Sequence, residues 1–290
     1  MRAHTLFLAF LVALGLLVPL AIGLRGCGYY ATAVVDRPFH PQYETLKPSG
    51  RDSHGYGIIG ALLIIAGVSV YSSRKRLRLL RTIGAIRTFL EVHIFLCLLG
   101  PALVLYHTTF KFGGIIAVGT WSMLAVVLSG VIGRYLYTQI PKTLQGQEMT
   151  DEELGRESDR LKGLLAEQSG LTSADIDRLD GALSPQEAGR AEGLLKILGR
   201  TMLFDLNKRR TLHALRGQFE QLRRSGQAFK DLETLALRRV VLRRRIALLE
   251  HSRRIFHLWH VIHLPFTIVM FVILAVHVGV AVAFGYWWVW

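Results

Sequence analysis

Cysteine is scarce in this chain, with two in 290 residues, and that scarcity excludes several chemistries. Cys27 and Cys97 are far apart and no CxxC pair exists, so neither a zinc ribbon nor an iron–sulfur centre is expected within the chain. CxxCH, the attachment signature for c-type haem, is missing as well. GxGxxG and GxxxxGK(S/T) are also missing, which removes the usual nucleotide-binding fingerprints. Acidic residues are few, 21 Asp and Glu against 35 Lys and Arg, for a formal net charge of +14.

Apolar residues, by contrast, make up 51% of the chain, and the mean hydropathy is +0.34. Five runs are long enough to cross a hydrocarbon core of roughly 30 Å. They are about Thr5–Leu24, Gly55–Tyr71, Thr88–Thr108, Gly114–Ile140 and His260–Tyr286. Backbone groups in lipid must be satisfied within their own segment, so helices are expected throughout. The first run follows Arg2 in the manner of a secretory signal, but it is longer than a signal core and lacks a clear small-x-small cleavage site. Leu24-Arg25-Gly26-Cys27 resembles a lipoprotein box, which Arg25 spoils. This run is read as a retained transmembrane helix.

The placement of the positive charge orients these runs. Ser72–Arg87 carries six Lys and Arg and no acid; Leu194–Phe256 carries 16 Lys and Arg against 5 Asp and Glu; Arg25–Tyr56 is nearly balanced, with four against three. The positive-inside rule puts the basic segments in the cytoplasm. An all-α integral membrane bundle follows, with an N-terminal helix over 1–24, an outer loop over 25–54 and helices two to four with a basic inner loop over 55–140. A helical cytoplasmic insert over 141–256 precedes a last helix and aromatic tail over 257–290. The amino terminus lies inside and the carboxyl terminus outside. Juxtamembrane charge of this kind serves topology or anionic-lipid contact, and nucleic acid is not an expected partner.

Within the insert, Glu148–Gly193 is acidic, 12 acids against 5 bases, with helix-start signals at Thr150-Asp151-Glu152-Glu153 and Ser184-Pro185-Gln186-Glu187. Beyond Leu194 the chain turns Leu- and Arg-rich, and Leu235, Leu242 and Leu249 recur at heptad spacing. No acid/base or nucleophile constellation stands out there, so the insert reads as a scaffold or docking domain.

Four of the eleven histidines carry a pattern. His93 and His107 are 14 residues apart on the third run; His263 and His277 are 14 apart on the fifth. Fourteen residues return a helix to within roughly 40° of its starting face after a rise of about 21 Å, and 14 is two heptads of a supercoiled bundle. Both runs go from cytoplasm to outside, so His93 shares a depth with His263, and His107 with His277. Each layer can supply both axial ligands of one haem iron, giving two haem b groups. Bis-histidine ligation leaves no open position for oxygen chemistry, which leaves electron transfer. The midpoints, Gly100 and Met270, are expected near the bilayer centre.

These two H-x13-H pairs resemble those of the haem-binding four-helix bundle in cytochrome b of respiratory bc complexes. The resemblance covers runs two to five and not the insert. It implies haem b at both membrane levels and electron movement between them. No PEWY motif is present, and the additional helices of that family are replaced by the insert. The chain also resembles the smaller di-haem membrane subunits of bacterial oxidoreductases. Those relay electrons for attached redox partners, here a c-type cytochrome or an iron–sulfur or flavin protein, with quinone as a further expected donor or acceptor in the inner membrane.

Small residues at Gly57, Gly60, Gly67, Gly130 and Gly133 offer room for a flat macrocycle, although close helix packing explains them equally well. Arg134 suits a haem propionate or an interfacial anchor. Glu91, four residues after Arg87, predicts an i,i+4 ion pair. His260 competes with His263 as the inner ligand, but its 17-residue separation from His277 falls about 100° off the stripe; Pro265 is expected to bend the helix there. His40 and His54 belong to the outer loop, and their spacing assigns them no cofactor. Trp259, Tyr286, Trp287, Trp288 and Trp290 read as interfacial aromatic belts. Two rival readings are a transporter using the histidines for protons or a transition metal, and a haem-free structural anchor.

Overall fold

The computed structural model describes residues 2–77, 84–114, 116–139, 149–169 and 249–286, with positions 199, 203, 234–239, 241–243 and 246. Among them every regular element is helical. The order is α1 (Arg2–Arg25), α2 (Cys27–Ala31), a 3-10 turn (Arg37–Phe39), α3 (Tyr43–Leu46), α4 (Arg51–Arg76), α5 (Ile86–His107), α6 (Ile116–Gln139), α7 (Asp151–Ser169) and α8 (Leu249–Ala283). Five of these, α1, α4, α5, α6 and α8, are long and apolar enough to cross a membrane. Their apolar side chains face outward, Leu16 at 67% and Val276 at 61% exposure, as helices surrounded by lipid require.

Helix ends follow local chemistry. α4 opens with Asp52 in its first turn and closes with Arg74, Lys75 and Arg76 in its last, both placements favourable to the helix dipole. It begins four residues before the apolar run that marks it in the sequence and ends five after it. α8 starts at Leu249, well before its apolar run, and continues through Pro265 without a break. α7 begins where the sequence signal puts it. The Glu153 backbone N–H donates to Thr150 Oγ1 at 3.3 Å, and the Thr150 N–H donates to Glu153 Oε2 at 2.8 Å, a reciprocal capping box. Ser184–Glu187 and Trp287, Trp288 and Trp290 lie outside the described residues.

The chain divides into two compact units. One comprises residues 1–132 and 260–290; the other is 133–259. In the second, Leu154 of α7 is buried against Met149, Leu242, Ile246 and Phe256. Trp259 stacks on Phe256 with ring centres 5.1 Å apart, and the Arg239 guanidinium donates to the Ser158 carbonyl at 2.9 Å.

In the first unit the tightest contact is between α4 and α5. A methyl built on Gly60 would lie 2.7 Å from the Gly100 carbonyl oxygen, and one on Gly100 would lie 2.7 Å from the Gly60 carbonyl. Two bare backbones therefore touch at mid-height, and at that level Ile64, Met123 and Met270 form a buried cluster flanked by Val104, Leu105 and Phe271. α1 lies along α5, with the Tyr106 hydroxyl donating to the Pro19 carbonyl at 2.9 Å.

The segment between α1 and α4 is pinned by one cation. Arg37 is 5% exposed, and its guanidinium donates to the carbonyls of Thr109 (2.7 Å), Thr32 (3.0 Å) and Tyr30 (3.1 Å) while lying over the Tyr29 ring. Burial pushes the Tyr29 phenol above its ordinary pKa, against the opposing Arg37 charge. Thr109 and Phe110 leave α5 in the left-handed region, φ 52° and 59°, a strained pair for residues with a Cβ. The Arg37 bond to the Thr109 carbonyl holds that turn in place.

Gly60→Ala is expected to destabilise the protein by about 1–3 kcal/mol, because backbone cannot yield to the added methyl. Gly279→Ala, which meets nothing within 4 Å, should leave the thermal midpoint in detergent unchanged or slightly raised. Arg37→Ala should cost about 3 kcal/mol or more by orphaning buried carbonyls, and limited proteolysis between Cys27 and Gly50 would reveal the loosened segment.

Candidate functional site

The paired histidines project from α5 and α8, and the structure brings together partners two helices apart. The His107 and His277 rings have centres 6.2 Å apart, tilted by 55°. His93 and His263 are the residues 14 positions earlier on the same two helices.

Three of the four rings have an Nδ1 contact that orients them. His107 Nδ1 is 3.0 Å from the Ser53 carbonyl and His93 Nδ1 is 3.0 Å from the Gly67 carbonyl. A carbonyl can only accept, so both Nδ1 atoms carry the proton and both Nε2 atoms keep a free lone pair, the form in which imidazole binds a metal. His263 Nδ1 is 2.7 Å from the Ser129 hydroxyl oxygen. The acceptors on α4 are themselves 14 residues apart, so its antiparallel course meets both histidines of α5 with one repeat. Ser53 and Ser129 were not legible as site residues in the sequence. The 14-residue match between Ser53 and Gly67 could have found the first; Ser129 has no such signal.

The glycines take different places. A methyl on Gly57 would sit 2.7 Å from His107 Cγ, so this residue makes room for the ring. Gly60 faces Gly100 across the helix contact, and a methyl on Gly67 would reach Cys97 Sγ and Leu96 Cβ at 3.0 Å. Both therefore serve the approach of α4 to α5. Gly130 has His263 Cε1 as its nearest neighbour, at 3.9 Å from an added methyl. Arg134 lies over the Tyr137 ring at 5.8 Å within the second unit.

His260 is exposed, whereas the half-buried His263 carries the Ser129 contact. His54 lies beside His107, ring centres 6.2 Å apart, with its Nε2 2.9 Å from the Tyr286 carbonyl. His40 packs edge-on to Tyr29. Glu91 is buried, its Oε1 accepting from Arg87 Nε at 2.9 Å, the pair its spacing predicts, with His4 Nε2 at 3.5 Å.

An iron between two imidazoles gives a test of fit. A metal binds the imidazole nitrogen at about 2 Å, and the ring centre is about 1 Å behind that atom. Two rings on opposite sides of one iron therefore have centres on the order of 6 Å apart. The 6.2 Å between His107 and His277 matches. Beside His277 lies a small apolar cleft of about 70 Å³, lined by Ala61, Ile64, Gly119, Met123, Met270 and Ile273. Its lining is apolar, as the flank of a macrocycle would be. Among the described residues no group of three or more His, Cys, Asp and Glu is arranged to hold a bare metal ion; a haem iron takes only two protein ligands. The spacing of the His107 and His277 rings fits the iron of such a group.

Compared with protein-family models, curated proteins and solved structures, the chain gives no match.

Proposed function

We propose that this chain is a di-haem b-type cytochrome subunit of an inner-membrane oxidoreductase. It moves electrons across the bilayer between quinone or a periplasmic cytochrome and a partner redox protein. The observation that carries the reading is the ring spacing of His107 and His277, together with Nδ1 contacts that free Nε2 on His93 and His107. His93 and His263 hold the inner haem, and His107 and His277 the outer. Haem b supplies a one-electron carrier at each level. With both axial positions taken by imidazole, substrate chemistry falls to other subunits.

The chain's own groups do the rest. Ser53 and Gly67 carbonyls fix the tautomer of the α5 ligands, so that each presents a lone pair and not a proton. Ile64, Met123 and Met270 fill the space between the two levels and keep water from it. A rise of about 21 Å between successive ligands on one helix puts one carrier near each leaflet. The basic segments place the amino terminus and the insert in the cytoplasm, where the insert docks a partner such as an iron–sulfur or flavin protein.

Purified protein is expected to show a b-type reduced-minus-oxidised spectrum, with two extractable haems per chain. A colourless preparation overturns the reading and favours a transporter or an anchor. His107→Ala and His277→Ala should each remove the same single haem, and the double variant should remove no second one. His107→Ala with His263→Ala should empty both levels. Haem content per chain checks each case.

A further inference from the structure

The hydroxyl of Ser129 stands apart from the other groups that orient the ligands. At His93 and His107 the acceptor is backbone, which any side chain at that position would leave in place. At His263 it is a side chain, on a different helix, 2.7 Å away. Ser129 lies on α6 and its hydroxyl also contacts the Val126 carbonyl at 2.9 Å. The Val126 carbonyl only accepts, so the hydroxyl can give its proton there and accept from His263 Nδ1–H through its oxygen, the arrangement that a metal on Nε2 requires. The backbone carbonyl of His263 is engaged too, accepting from the Thr267 hydroxyl at 2.8 Å.

We infer that Ser129 is a positioning residue of the inner level: its hydroxyl orients His263, fixes its tautomer, and sets its strength as a metal ligand. This rests on the di-haem reading and deepens it. A hydrogen bond from Nδ1–H to an acceptor makes the opposite nitrogen a stronger donor, which favours the ferric state and lowers the reduction potential. Because the acceptor is a serine hydroxyl, the inner potential depends on one replaceable side chain. His260 is exposed, three residues away on the same helix, and Ser129 gives α6 a direct preference for His263.

The test compares Ser129→Ala, Ser129→Thr and the unchanged full-length holoprotein in membranes. Redox titration followed at the α-band gives two steps, and the inner one is identified as the step abolished by His263→Ala. Ser129→Ala should raise the inner midpoint, leave the outer midpoint unmoved, and alter the inner low-spin electron paramagnetic resonance signal. Ser129→Thr keeps the hydroxyl and the bond to the carbonyl three residues back, so it should restore the original values. Selective loss of the inner haem in Ser129→Ala with recovery in Ser129→Thr supports the same role. An unchanged inner midpoint in Ser129→Ala overturns it, as does a shift of both midpoints together or a Thr variant that behaves like Ala. Protein without haem in the unchanged chain fails the di-haem reading itself, a result distinct from any of these.

Discussion

Backbone touches backbone where Gly60 of α4 meets Gly100 of α5, and the site depends on that contact. Helix axes approach this closely only where side chains are absent. With α4 so near, its carbonyls at Ser53 and Gly67 come within 3.0 Å of the imidazoles on α5. In an apolar slab an imidazole N–H has no water to bond, so an unpaired one would cost several kcal/mol. The glycine contact therefore does two things: it removes that penalty, and it decides which nitrogen of each ring stays free. A bulkier pair at 60 and 100 would loosen the ring supports above and below.

The repeat of 14 runs through the unit at more than one level. The histidines on α5 and α8 share it, and so do the acceptors on α4. An antiparallel neighbour with the same repeat meets both members of a pair at once, Gly67 with His93 and Ser53 with His107. The two levels are consequently built alike without any internal duplication of sequence. At α6 the Ser129 side chain supports His263.

Outside the membrane-spanning helices, order comes from single well-placed polar groups. Arg37 ties the segment after α1 to the end of α5 through three carbonyls and holds a left-handed turn that its own sequence would not favour. Thr150 and Glu153 start α7 by closing on each other's backbone. Each device replaces solvent for groups that lose it, the first on burial and the second at a helix end.

The sequence by itself determined the number of long apolar helices, the ion pair of Glu91 with Arg87, the start of α7, and the stripe on which each pair of histidines lies. These are properties of single segments: length, hydropathy and a periodicity of about 3.6 act within one helix and need no neighbour. The tertiary structure alone decided which glycines pack helix to helix and which one makes room for a ring, since a missing side chain looks the same in either role. It also decided that α8 stays helical through Pro265, and that the Ser129 hydroxyl stands against His263. Those outcomes depend on which helix stands opposite and at what height. A chain in an apolar slab satisfies its polar groups across such contacts, which adjacency along the sequence does not encode.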